Sequence, residues 1–367
     1  MKKVWLILGI LIVIGSLWWI FLKKEIPILN PLINRIENKK NEISLKTVGF
    51  LPTWMIGKTR LYGKELDELI FLGIEVDING NLVWNGQSKK IDNDDFLKQK
   101  ENITRTGGDN ILGIKQFDDK KLETLLSNDK AVNNLVEQIK EIVENKNFDG
   151  VNVDFEYQND PTAILNESFF SFLKKLKLAG VGKISVDVFV NTINKGNQKD
   201  LINLLGEIDE LIIMAYDFHR PGVNYAGAVA PINAPIGERS ILELVKNITN
   251  IQLDKNKIIL AYPLYGYEWK TYTSDFGSQI KRGWYQMSSW QRTKKILDGQ
   301  TQGSTLTINW DEISMTPWLV FEEDGDIHQI YYENEKSLRI KIKLAEDNKF
   351  KGVGFWALGY EGEEILF

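Results

Sequence analysis

The amino-acid sequence predicts an α/β protein folded as a (β/α)8 TIM barrel, on three observations. From residue 46 onward, short apolar runs of strand-like composition alternate with amphipathic stretches, as in repeated βα units. Eight such runs occur, enough to close a barrel. No glycine-rich phosphate fingerprint follows the first run, which argues against an open dinucleotide-binding sheet. The 367 residues hold one large domain of this kind or two ordinary ones.

The first element is apolar. Val4 to Leu22 is almost unbroken, with Lys2-Lys3 before it and Lys23-Lys24 after it. That length crosses a bilayer's hydrocarbon core, and Trp18 and Trp19 suit an interfacial end. Residues 1–24 are therefore read as one transmembrane helix, an uncleaved signal anchor. A cleaved signal peptide is the rival, but Phe21-Leu22-Lys23-Lys24 offers no small-residue cleavage site. Residues 25–45, with Pro27, Pro31 and several Asn and Lys, read as a linker. The expected location is the cell membrane, single-pass, with the barrel (residues 46–367) on the extracytoplasmic side, or secreted if the segment is cleaved.

The eight strands are expected at Thr47–Leu51, Glu68–Ile74, Ile111–Ile114, Gly150–Glu156, Ile184–Val190, Leu211–Asp217, Ile258–Leu264 and Gly352–Leu358. Helical periodicity marks Val132–Val143, Phe169–Leu178 and Ser240–Ile248. Gly73 to Val83 looks like an extra hairpin turning at Asn79-Gly80-Asn81. The gap between the seventh and eighth strands is too long for one loop and helix. Residues 267–335 are thus expected to form a small α+β insertion, with strands at Trp318–Glu322 and Ile327–Tyr332. Lys336–Ala345 is the helix that returns to the barrel.

Composition narrows the chemistry. A net charge of −5 gives no footprint for nucleic acid. With no Cys, thiol catalysis, disulfides and Cys-based zinc sites are excluded, and two His argue against a His-built metal site. No cofactor is expected, and the chain is expected to be a monomer.

The most informative segment is Phe148-Asp-Gly-Val-Asn-Val-Asp-Phe-Glu-Tyr-Gln158. Alternation puts Asn152, Asp154 and Glu156 on one strand face and Val151, Val153 and Phe155 on the other. Strands avoid such residues, so a row of them needs a reason. An edge strand with a wet face is one; the apolar flanks oppose it. Catalytic groups gather at the C-terminal ends of barrel strands, and neighbouring carboxyls push each other's pKa values apart. Three more segments end in polar or aromatic groups at such strand ends: Ile212 to Asp217, Ile258 to Tyr267 and Val353 to Tyr360. Any one of them alone would be core packing.

Together these segments resemble glycoside hydrolase family 18, the chitinase-like barrel. The acidic strand-four motif ending in Glu156 carries the resemblance, with Met214-Ala215-Tyr216-Asp217, the last-strand Trp356 and the long gap before it. The resemblance implies substrate-assisted hydrolysis of a glycan rich in N-acetylglucosamine, an exception to the two-carboxylate scheme. Glu156 would protonate the glycosidic oxygen and later act as base on water. Asp154 would orient the sugar's acetamide, whose carbonyl attacks the anomeric carbon to give an oxazolinium ion. Tyr216 would hold that carbonyl, Asp217 would steady the −1 sugar, and Trp356 would be its floor. Asn152 replaces an Asp of many chitinases, and Ile111–Lys115 lacks their Ser-x-Gly-Gly. Asn152 and Phe155 resemble the bacterial branch linked to peptidoglycan and spore cortex, and both departures shift the expected substrate from insoluble chitin toward cell-wall or other N-acetylglucosamine-containing glycans.

Asn152, Phe50, Trp54, Tyr265 and Trp269 are further candidates for sugar contact, and His219 for bracing the site. The acidic run Glu322 to Asp326 reads as a hairpin turn, since calcium-loop spacing is missing. Two alternatives stay open: a glycan-binding lectin on the same barrel, and an endo-β-N-acetylglucosaminidase acting on N-glycans.

Overall fold

The computed structural model of the protein describes residues 45–235, 237–299 and 306–362. The expected anchor, and the linker apart from Leu45, lie outside these residues. Among the described residues no helix is long and apolar enough to cross a membrane.

The chain enters as β1 (Lys46–Pro52) and β2 (Glu68–Val76), then turns back into the short antiparallel β3 (Leu82–Val83). α1 (Asp94–Arg105), β4 (Asp109–Gln116), α2 (Asp119–Leu126), α3 (Asp129–Asn145) and β5 (Gly150–Phe155) follow. Next come α4 (Glu167–Ala179), β6 (Lys183–Phe189), α5 (Val190–Lys195), α6 (Gln198–Glu207) and β7 (Glu210–Met214). α7 (Ile241–Asn250) leads to β8 (Ile258–Pro263). The insertion then runs β9 (Tyr265–Thr271), β10 (Ile280–Ser289), α8 (Trp290–Leu297), β11 (Thr307–Asp311), β12 (Thr316–Glu323) and β13 (Asp326–Tyr331). α9 (Glu335–Asp347) returns the chain to β14 (Gly352–Trp356).

Parallel pairing runs β1-β14-β8-β7-β6-β5-β4-β2 and closes through β1 on β2, so the eight-stranded barrel is complete. Period-two alternation divides each strand between two layers. Val48, Phe50, Ile70, Ile111, Ile212 and Ile259 fill the barrel interior. Val151, Val153 and Phe155 point outward, where Phe155 stacks on Phe172 of α4. The helices are set by their caps and stripes. Asn128 caps α3, whose Val132, Leu135, Val136, Ile139 and Val143 form its buried face. Gly150 is needed where it stands, because a Cβ there would lie 2.2 Å from the Lys183 carbonyl of β6.

Charged residues close the end of the barrel where its strands begin. Lys46 Nζ lies 2.6 Å from Glu68 and 2.5 Å from Glu210; Lys183 lies 3.0 Å from Glu68 and 2.5 Å from Asp109; Lys351 lies 2.9 Å from Glu210. Glu68 and Glu210 are fully buried. Burial, then the charge of Glu210, pushes the Glu68 carboxyl up, while Lys46 and Lys351 hold Glu210 down despite its burial.

The insertion is a five-stranded antiparallel sheet ordered β10-β9-β13-β12-β11. It starts at Tyr265, two residues before the expected boundary, because β9 follows β8 across a single residue. Trp269, expected as a sugar contact, is 1% exposed and packs on Tyr267 and Tyr331 inside this sheet. The acidic turn is a hairpin: Asp326 pairs with Lys270 at 2.6 Å and Lys281 at 2.7 Å. The strands expected to reach Asp217 and Leu358 stop at Met214 and Trp356. Asp217 turns away in a left-handed conformation with φ 57°, and a cis peptide joins Trp356 to Ala357.

Candidate active site

A cleft of about 570 Å³ opens where the barrel strands end. Phe50, Trp54, Asp154, Glu156, Tyr216, Asp217, Tyr265 and Trp356 all line it. They come from five places in the chain, and barrel closure brings them together.

β5 aims its even-numbered side chains inward, so Asp154 sits in the floor and Glu156 just beyond the strand end. The Glu156 backbone N–H donates to the Gln116 carbonyl at 3.0 Å, and its carboxylate accepts from Gln158 Nε2 at 2.5 Å. Burial pushes the Glu156 carboxyl up to about 7, helped by the charge of Asp217 and opposed by bonds from Gln158 and Asp154. Asp154 is 5% exposed and is pushed well up by burial, then by Glu156 and Asp187. It shares a hydrogen bond with Glu156, so the two carboxyls handle protons as a pair. Register places Lys115 of β4 beside Asp154, where its charge opposes both shifts. A carboxyl near 7 is a usable proton donor and acceptor at neutral pH.

Tyr216 follows β7, and its phenol is pushed well up by burial and by the carboxylates Asp154, Asp187, Glu156 and Asp217. It stays a neutral O–H donor. Asp217 Oδ1 accepts from Tyr265 at 2.5 Å and Tyr267 at 3.2 Å, yet burial still raises its pKa. Trp356 meets Phe50 edge-on at 5.8 Å and Trp54 at 6.3 Å, and Trp54 Nε1 donates to the Tyr360 hydroxyl at 3.0 Å. An aromatic wall of this kind presents an apolar face to the ring hydrogens of a sugar.

Asn152 departs from expectation. It is 0% exposed and does not line the cleft; its Nδ2 donates to Ser185 Oγ at 3.0 Å and Asp187 Oδ1 at 2.9 Å. Its place two residues deeper on β5 puts it beneath Asp154 rather than against a ligand. His219 also lies outside the cleft lining: its Nδ1 meets the Ala228 carbonyl at 3.0 Å and its ring packs over Gly227.

Sequence reasoning marked Tyr267 and Tyr360 only as the ends of converging segments, and it missed Asp187 and the cations Lys115, Lys195, Arg220 and Arg239; all of these line the cleft. Asp187 had a legible signal, because Ser185 and Asp187 alternate on β6 as Asn152 and Asp154 do on β5. Arg220 and Arg239 sit in loops, where no periodicity marks them, and Lys115 and Lys195 lie at the ends of β4 and α5. Glu268, Glu323 and His328 offer ligand atoms within 4.8 Å of one another in the insertion. Arg292 grips both Glu268 oxygens at 2.6 and 2.9 Å and His328 Nδ1 lies 2.7 Å from one of them, so this cluster is an ion pair tying α8 to the sheet.

A family profile described as glycosyl hydrolases family 18 matches residues 48–361. The chain is 26% identical over 259 residues to a probable di-N-acetylchitobiase 1 of Dictyostelium discoideum, covering 63% of this chain and 67% of that protein. It is 25% identical over 294 residues to an uncharacterized glycosylase, YvbX, of Bacillus subtilis, covering 78% and 79%. The crystal structure of the Bacillus cereus spore cortex-lytic enzyme SleL superposes with a TM-score of 0.68 at 20% identity, covering 88% of this chain and 73% of that one. At that identity the superposition speaks for the fold.

Proposed function

The chain belongs to the glycosyl hydrolases of family 18 and is a glycosidase, and on that premise we propose that it is a retaining hydrolase of β-1,4-linked glycans containing N-acetylglucosamine. The observation that carries this reading is Glu156 in the cleft, its carboxyl raised to about 7, with Asp154 and Tyr216 alongside.

In the proposed reaction Glu156 gives its proton to the glycosidic oxygen as that bond breaks. The carbonyl oxygen of the −1 sugar's own acetamide bonds to the anomeric carbon from the opposite face, forming an oxazolinium ion. Asp154 holds the acetamide N–H and balances the positive charge, and Tyr216 orients the carbonyl. Glu156 then takes a proton from water as its oxygen attacks the anomeric carbon, reopening the ring with net retention. Asp217 positions the −1 sugar over Trp356.

Peptidoglycan is the preferred polymer in this reading. Lys195, Arg220 and Arg239 line the cleft beside the acidic floor and give its edge a positive field suited to carboxylate substituents. The lectin alternative is disfavoured because such a barrel has no use for a half-buried acid poised near neutrality. Residues 4–22 are proposed as the anchor that keeps the barrel at the membrane's outer face, close to the wall.

The test uses the full-length chain recovered with the membrane fraction, as the anchor requires. Peptidoglycan and chitooligosaccharides are incubated with wild type and Glu156→Gln, and products are read by mass spectrometry. Cleavage beside N-acetylglucosamine that falls about 10²–10⁴-fold in the variant is expected, with peptidoglycan preferred. Glycan binding without cleavage by the wild type would sink the reading in favour of the lectin.

A further inference from the structure

Asp187 is a buried carboxyl with no role in the mechanism above. It is 3% exposed, lines the cleft from β6, and takes its Oδ1 bond from Asn152 Nδ2 at 2.9 Å. Both protons of the Asn152 amide are committed, one to Asp187 and one to Ser185. That sets the amide nitrogen toward Asp187 and Ser185. Asn152 Oδ1 and Asp154 Oδ1 are buried and accept from nothing among the described residues.

We propose that Asp187 is a positioning residue of the catalytic cluster: it restores from β6 the carboxyl that Asn152 lacks on β5, so that three carboxyls rather than two govern the catalytic proton. This rests on the reading of Glu156 as the acid. The groups acting on Asp187 are Asn152 and Glu156 from β5 and Glu68 from the barrel's charged end; Asp187 in turn acts on Asp154 and on Tyr216 beyond β7. Lys115 from β4 is the cation that opposes the shifts of Asp154 and Glu156, and Asp217 adds a further negative charge to Glu156. Burial pushes Asp187 itself well up, against the bond from Asn152. Asp187 thus acts on Asp154 directly and, through the Asp154–Glu156 hydrogen bond, on the proton those two share, so removing its charge lets that proton leave at lower pH.

The geometry supplies its own test, because amide and carboxyl can be exchanged across one hydrogen bond. Asp187→Asn alone should lower the alkaline limb of kcat by about one pH unit and, through the smaller protonated fraction, kcat at pH 7 by roughly fivefold, with KM little changed. The double variant Asn152→Asp with Asp187→Asn keeps the volumes and the bond and moves the carboxyl to β5. It should return the alkaline limb most of the way to wild type. Thermal midpoints of both variants check folding. A ¹³C NMR titration of the Glu156 carboxyl in the ligand-free full chain reads the same downward shift in Asp187→Asn without any turnover. An unmoved Glu156 titration in Asp187→Asn overturns the proposal, as does a double variant, folded, whose limb stays with the single one. Loss of the Glu156 assignment itself would show separately, as cleavage that survives Glu156→Gln.

Discussion

Glu156 gains its chemistry from where β5 ends. One residue earlier the side chain would point outward into the layer of Val153 and Phe155; at 156 it meets the cleft and loses most of its water. The resulting pKa of about 7 has a direct consequence for rate. The sign follows from the proposed mechanism: an acid there must carry its proton, so activity should hold below the raised pKa and decline as pH rises through it. The alkaline limb of kcat is expected near pH 7, against about 4.3 for an unperturbed glutamate. A kcat still rising above pH 9 would show that another group is the acid. At this scale the acidic motif was legible because period two is visible in one strand. The role of Asn152 was not, because its partners Ser185 and Asp187 lie 33 and 35 positions away.

The strands were legible as elements because each is a short apolar run bounded by polar residues, and β2, β5, β7, β8 and β14 begin within one residue of their expected starts. The hairpin at Asp77–Asn81 was legible for a local reason too: Asp77 Oδ1 accepts from the backbone of Asn79 and Asn81, both at 2.8 Å. β10 and α8 were not assigned, since the exposed Tyr285 and Met287 of β10 blur its alternation. The charged end of the barrel was also invisible, because Lys46 meets Glu210 across 164 positions only when β1 closes on its neighbours. Two buried carboxylates share the Lys46 ammonium there, with Lys183 and Lys351 as their remaining partners. Replacing Lys46 by Met should cost about 3 kcal/mol of stability, at the low end for breaking a buried pair because those partners remain. Chemical denaturation monitored by circular dichroism measures it; a change within 0.5 kcal/mol would mean the network is worth no more than a surface pair.

In the barrel with its insertion, two ends do different work. The end where strands begin is sealed by ion pairs, and the end where they finish holds the cleft. The insertion adds Tyr265, Tyr267 and Met287 to one wall, so a segment absent from the minimal barrel shapes what the cleft accepts. Strand order, closure and the insertion's place were readable from the spacing of runs; the wall's make-up was not, because it depends on how one sheet folds over another. For the whole molecule, the proposed mechanism makes the substrate's own acetamide the attacking group. Proton NMR of the first products from a chitooligosaccharide reads the anomeric configuration of the new reducing end before it equilibrates. The β anomer appearing first is the expected result, and the α anomer appearing first would contradict the mechanism.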